Sequence, residues 1–208
     1  MDPMMNMNYS KIIDKGNEPS RLFIGGVHGK EGITTIKALS QLDEDSVSNG
    51  KLGIYNFDET PYLSTLHKDY YNSDMGKNVL SLIKEHKPVV YLEAHCYKEK
   101  SYEKLVDEDR KSRVGVPPLI ELEEGVLIGS VAPFLRLNCF KRQDICITLE
   151  IPCYPSKKAL GVYVNILKAV ASSKTREDLE ATIGTRYPQQ VETARRYAIE
   201  FFGDYPPF

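Results

Sequence analysis

Arg21-Leu22-Phe23-Ile24-Gly25-Gly26-Val27-His28-Gly29-Lys30-Glu31-Gly32 decides how this chain is read. An apolar run that stops at two glycines has the form of a buried parallel strand ending at the carboxyl edge of its sheet. Open α/β folds place their sites at that edge. The glycines at 25, 26, 29 and 32 permit a tight turn and leave room beside it. His28 and Glu31, three residues apart in such a turn, can converge on one ion as a nitrogen and an oxygen ligand. His-x-x-Glu recurs often by chance; its place at a strand end gives it weight.

Outward from this stretch, residues 20–27 form the strand itself and 10–14 a short edge strand, with a loose segment before Tyr9. Residues 32–42 carry Ile33, Ile36, Leu39 and Leu42 at helical spacing, which predicts a helix with that stripe inward. A second strand is expected over 51–57. A long, polar, tyrosine-rich connection follows over 56–78, and connections of that kind are often functional. Residues 79–86 read as a helix, stopped by Pro88 before a strand over 89–96. The charged segment 98–113 reads as a solvated loop or helix. Residues 119–137, interrupted at Gly125, Gly129 and Pro133, read as short strands or a hairpin. A strand over 145–151 precedes three helices, over 156–172, 175–183 and 188–202, the second with the polar start of an N-terminal cap. Alternating strands and helices predict a single α/β domain over 1–208, with a core at about 9–172 and C-terminal helices at 175–202. Its central sheet is expected to be mostly parallel and flanked by helices.

Composition narrows the function classes. A chain of 208 residues with 41% hydrophobic and 27% charged residues has the make-up of a soluble globular protein. A formal net charge of −2 gives no footprint for nucleic acid. No apolar run approaches the roughly 20 residues of a membrane span. The first eight residues lack the basic and apolar regions of a secretory signal. With no close cysteine pair among Cys96, Cys139, Cys146 and Cys153, a cytoplasmic location and reduced, mostly buried thiols are expected.

Two further strands carry polar residues at their ends. In Val89-Val90-Tyr91-Leu92-Glu93-Ala94-His95-Cys96, Glu93 and His95 share a face while Cys96 points away. His95 can be a metal ligand, and Glu93 can hold its other ring nitrogen. In Asp144-Ile145-Cys146-Ile147-Thr148-Leu149-Glu150-Ile151-Pro152, the isoleucines and Leu149 share one face, and Cys146, Thr148 and Glu150 the other. A carboxylate in an apolar strand is costly unless paired, solvated or functional. Burial would raise its pKa toward the range of a general base. Three strand ends thus offer His28 with Glu31, His95 and Glu150. The set fits a mononuclear zinc site with three protein ligands, an open position and a further carboxylate to move a proton. His67 and His86 read as structural or solvated, and a tyrosine from the set Tyr62, Tyr70 and Tyr71 could help bind a carbonyl oxygen.

Gly-Gly-Val-His-Gly-Lys-Glu-Gly resembles the Gly-Gly-x-His-Gly-x-Glu signature of zinc carboxypeptidase-like hydrolases, in particular the succinylglutamate desuccinylase and aspartoacylase branch. Glu93-Ala94-His95 stands where that branch has Asp-x-His, and Thr148-Leu149-Glu150 resembles its Thr-x-Glu. The resemblance covers about residues 22–151. The whole chain is also similar to an uncharacterised protein family of methanogenic archaea related to that clan. The resemblance implies Zn2+ held by His28, Glu31 and His95, with Glu150 as general base and acid. The implied reaction is hydrolysis of an amide bond next to a carboxylate in a small-molecule or short peptide substrate. One departure stands out. Where the family has an Asn-Arg pair, this chain has Tyr70-Tyr71-Asn72-Ser73. Asn72 with Lys68, Lys77, Arg136 or Arg142 are the candidates to bind substrate instead, although a lysine lacks the bidentate fork of arginine. A catalytically silent metal-binding or interaction module is the alternative reading, and an ester hydrolase or transferase a third.

Overall fold

The computed structural model describes residues 7–203 and 205–208. Among the described residues the strands are β1 (Met7–Lys15), β2 (Ser20–Gly25), β3 (Gly50–Phe57), β4 (Val90–Tyr97), β5 (Ile120–Glu123), β6 (Val126–Ser130) and β7 (Ile145–Pro152). The α-helices among them are α1 (Gly32–Leu39), α2 (Asp74–His86), α3 (Tyr102–Val106), α4 (Arg110–Val114), α5 (Pro133–Asn138), α6 (Lys157–Ser172), α7 (Arg176–Arg186) and α8 (Pro188–Phe202). The expected loose segment before Tyr9 is shortened, since β1 begins at Met7; the rest of that segment lies outside the described residues.

The strands form one sheet in the order β1-β3-β2-β4-β7-β6-β5. Only the central four, β3-β2-β4-β7, run parallel to one another. Pairing is antiparallel at both margins, so the sheet is mixed rather than mostly parallel. Local chain lengths explain the difference. The connection from β1 to β2 is too short for the crossover that a parallel pair requires, and β1 joins β3 antiparallel instead. On the other margin Glu124 and Gly125 take φ of 55° and 76°. Two consecutive positive φ values make the tight turn whose twist suits a hairpin, and β5 and β6 fold back on each other there.

Helices cover both faces. One face buries Ile145, Ile147, Leu149 and Ile151 of β7 against α6 and α7, through Tyr163, Leu167 and Leu179 among others. The other carries Leu22, Ile24, Tyr91 and Cys146 against Val79 and Ile83 of α2 and Leu135 of α5. The alternation expected for β7 is therefore present, with its apolar odd positions on one side and Cys146 on the other.

Helix α1 departs from its expected stripe. Ile33 is half exposed, whereas Thr34 and Thr35 are buried. Thr35 donates to Asn56 Oδ1 at 2.7 Å and Thr34 to the Cys153 carbonyl at 2.9 Å. These bonds turn the helix so that its threonines, not Ile33, face the sheet ends.

Candidate metal centre

β2 ends at Gly25, and the next six residues form the turn that carries His28 and Glu31 into α1. Gly26 has φ of +72°, and a Cβ there would lie 1.8 Å from the Phe57 carbonyl oxygen. Gly32 approaches the same oxygen as closely. The turn thus lies directly on the end of β3, where no side chain fits. Thr60 clasps it from outside, its amide donating to the Gly29 carbonyl at 2.8 Å and its hydroxyl to that of Gly26 at 3.2 Å.

This turn brings His28 and Glu31 beside His95 at the end of β4. The ligand-type atoms of the three residues lie within 4.8 Å of one another. Glu31 stands between the histidines: Oε1 is 3.5 Å from His28 Nδ1 and Oε2 is 3.0 Å from His95 Nδ1. The imidazole rings are 5.2 Å apart. On the far side of His95, Nε2 lies 3.4 Å from Glu93 Oε2, and the Tyr91 hydroxyl donates to Glu93 Oε1 at 2.8 Å. Glu93 is wholly buried. One ring nitrogen of His95 is therefore held from behind, leaving the other toward Glu31.

The two histidines are driven in opposite directions. Burial disfavours the cationic form of both. At His28 burial prevails over Glu31 and lowers the pKa. At His95 the Glu31 and Glu93 carboxylates overcome it and push the pKa well up. His28 Nδ1 is buried with no hydrogen-bond partner, and a buried orphan nitrogen is costly. Two imidazoles and one carboxylate are a zinc-type donor set. Donor types and the orphaned nitrogen together fit a divalent ion, which His28, Glu31 and His95 could hold.

Glu150 projects from β7 as the register partner of His95. Its Oε2 is sealed from solvent without a hydrogen-bond partner. Burial, opposed by His95 and helped by Glu31, raises its pKa to about 7. His28, Glu31, His95 and Glu150 all line one cavity of about 1010 Å³.

The candidate substrate-binding residues are scattered. Arg136 borders the cavity, but its guanidinium donates to the Lys141 and Arg142 carbonyls at 2.9 and 2.7 Å and lies over the Tyr205 ring. Lys68 borders a separate depression of about 170 Å³. Asn72 and Lys77 are exposed near and within α2, and Arg142 is exposed between α5 and β7, none of them on the large cavity. Tyr62 reaches the cavity, edge-on to His28 at 5.6 Å. Tyr70 instead donates to the Val27 carbonyl at 2.8 Å, and Tyr71 is buried. His67 lies exposed beside Asp69, and His86 is bonded to the Tyr55 hydroxyl at 2.7 Å.

Sequence reasoning missed two features. Arg110 lines the cavity from the charged segment that was expected to be only solvated surface; its one signal is the Pro117-Pro118 break that folds this segment back. Cys96 and Cys153 form a disulfide, which corrects the expectation of reduced thiols. They are 57 residues apart in sequence but end two neighbouring strands, so no local spacing betrays the pair. Cys139 and Cys146 are free, and burial raises the pKa of both. Cys146 therefore has no thiolate character to offer, although its strand position places it on the face of Glu150.

Among the described residues, no helix is long and apolar enough to cross a membrane. The chain is similar to two solved structures at low identity. One is a metallo-carboxypeptidase from Pseudomonas aeruginosa in complex with (2-guanidinoethylmercapto)succinic acid. The likeness has a TM-score of 0.41 at 13% identity, over 85% of this chain and 60% of the other. This chain thus spans about three fifths of that protein's length. The other is a bacteriophage poly-gamma-glutamate hydrolase, with a TM-score of 0.27 at 15% identity, over 88% of this chain and 90% of the other. A much nearer relative is an uncharacterised protein of Methanocaldococcus jannaschii, 36% identical over 197 residues, which are 90% of this chain and 93% of that protein. Residues 16–203 match the family described as an uncharacterised protein conserved in archaea, DUF2119, and the chain belongs to that family.

Proposed function

We propose that this protein is a zinc-dependent hydrolase of an amide bond, of the carboxypeptidase or deacylase type, acting on a small acyl-amino-acid or peptide-like substrate. The observation that carries the reading is the convergence of His28, Glu31 and His95 within 4.8 Å in a cavity that Glu150 also lines. A zinc held by those three residues supplies Lewis-acid polarisation of a carbonyl and a lowered pKa for water. The rest falls to the chain's own groups. Tyr91 fixes Glu93, and Glu93 fixes the His95 ring. Glu150, with its pKa raised to about 7, is matched to proton transfer near neutral pH. It takes a proton from the attacking water, whose oxygen joins the carbonyl carbon. It returns that proton to the departing amine nitrogen as the carbon–nitrogen bond breaks, and ends as it began.

The test is turnover of a panel of N-acyl amino acids and dipeptides by the zinc-loaded parent and by Glu150→Gln. Proton transfer by a placed side chain is worth roughly 10²- to 10⁴-fold in rate. The variant is expected to lose at least about a hundredfold while keeping its zinc. Turnover at the parent rate would remove Glu150 from the mechanism.

One observation favours the second reading, a catalytically silent module on the same fold. Where the related hydrolases carry an Asn-Arg pair, Ser73 here caps α2 by accepting from the Gly76 amide at 3.1 Å. No reactivity toward any amide in the panel would put that reading first.

A further inference from the structure

Arg110 opens α4, and its Nη1 donates to the Pro117 carbonyl at 2.8 Å. Among the described residues it has no carboxylate within ion-pair distance. A guanidinium carries five N–H donors in a rigid fork, and of these only one on Nη1 is taken by Pro117, in a residue that lines the large cavity. The other cations on the same wall are differently placed. Lys30 pairs with Glu59 at 3.2 Å, Arg136 is engaged by backbone carbonyls, and Lys98 and Lys100 are exposed at the rim. Arg110 is only half exposed, and the charge of Glu150 reaches it. The same cavity is lined by the apolar side chains of Val116, Leu119, Val131, Ala198 and Phe202. A volume of about 1010 Å³ lies at the upper end of the usual range for small-molecule sites, roughly 300–1,000 Å³. It leaves room for a sizeable group in the cavity that Arg110 lines.

We infer that Arg110 receives the carboxylate of the substrate and that the adjoining wall receives an apolar body, so that the substrate class is an amphipathic carboxylate. This rests on the proposed amide hydrolase for its place in a reaction, but not for the binding itself. A guanidinium matches a carboxylate with two parallel hydrogen bonds. Half-burial against apolar side chains strengthens that pairing relative to water. The same wall rejects highly polar bodies, whose groups would be left without partners.

Calorimetry on the full chain with non-reacting probes tests the inference separately from turnover. Acetate, butanoate, hexanoate and neutral hexanamide are titrated into the parent, Arg110→Gln and Arg110→Lys, with and without chelator. Affinity is expected to rise from acetate to hexanoate by up to roughly fourfold per methylene. Arg110→Gln should weaken hexanoate by roughly ten- to a hundredfold and leave hexanamide unchanged, with Arg110→Lys in between because it keeps charge but not the fork. A carboxylate bound only by metal shows no difference between parent and Arg110→Gln once the metal content is equal, and that result overturns the inference. So does equal weakening of hexanoate and hexanamide, which marks Arg110 as a structural tie to Pro117, and so does absence of hexanoate binding at millimolar concentration. Hexanoate binding with no turnover of any amide instead sinks the hydrolase and leaves the carboxylate site standing.

Discussion

His95 on β4 and Glu150 on β7 are register partners across a parallel pairing. Strands in a sheet lie about 4.8 Å apart, and paired residues send their side chains to the same face. The candidate ligand and the candidate proton carrier are therefore set side by side by backbone hydrogen bonds. The Tyr163 hydroxyl reinforces this from within, donating to the Leu149 carbonyl at 2.9 Å and approaching that of His95 at 3.4 Å. His28 and Glu31 come from a turn, and that turn is seated on β3. The whole arrangement thus hangs on the parallel centre of the sheet.

Metal uptake should release a proton. Glu31 and Glu93 outweigh the cost of burial at His95 and push its pKa well up, whereas a ligating imidazole must be neutral. About one zinc per chain is expected, with affinity falling as the pH is lowered. Titrations in buffers of different ionisation heat measure the proton count. His28→Ala, which leaves two ligands, should lose most of the zinc. Protein purified with zinc available yet free of divalent metal is the contrary result.

Glu93→Gln keeps the shape of the side chain but removes the charge behind His95. Partners of that kind are worth roughly 10- to 100-fold in metal affinity. Competition against a chelator should show a loss of that size. Equal affinity in parent and variant would leave Glu93 with no part in holding the ring.

Glu150 should leave a mark on stability in the metal-free protein. Its folded pKa of about 7 exceeds the roughly 4.3 of a free glutamate, so the folded state holds the extra proton between those values. Stability contributed this way is complete below about pH 4.3 and falls as the pH rises through about 7. Glu150→Gln removes the slope. Its melting temperature should match the parent in acid and exceed it above neutrality, which scanning calorimetry between pH 4 and 8 resolves.

Cys153→Ser should lower stability only under oxidising conditions. The bridge to Cys96 spans 57 residues, and closing a loop of that length constrains the unfolded chain by up to about 4 kcal/mol. Parent and variant melting curves should converge once reductant is added. Curves that already coincide without reductant would mean that the bridge adds nothing.

Much of the centre was legible because strands and tight turns have short periods. Alternation along 89–96 and 145–151 is enough to put Glu93 with His95, and to separate Glu150 from the isoleucines. The glycines around His28 announce the turn. What escaped depends on chain segments meeting from afar. The orientation of α1 is set by Thr35 reaching Asn56 on another strand, so Ile33 could not be foreseen as half exposed. Arg136 has the composition of a substrate ligand, yet carbonyls from the 141–142 turn and the Tyr205 ring already occupy it. Arg110 sits in a run of charges whose exposed members look the same in sequence.

The mixed sheet divides the protein into parts with separate fates under change. The prospective ligands lie on β4 and on the turn between β2 and α1, within the parallel centre. Much of the apolar cavity wall comes from residues 116–133 and from α8 onward, outside it. Drift in the hairpin margin or the C-terminal helix can therefore alter what the cavity admits while the grouping of His28, Glu31 and His95 stays as it was. An exchange of these outer segments between members of the family is expected to carry ligand preference with it and leave metal affinity behind.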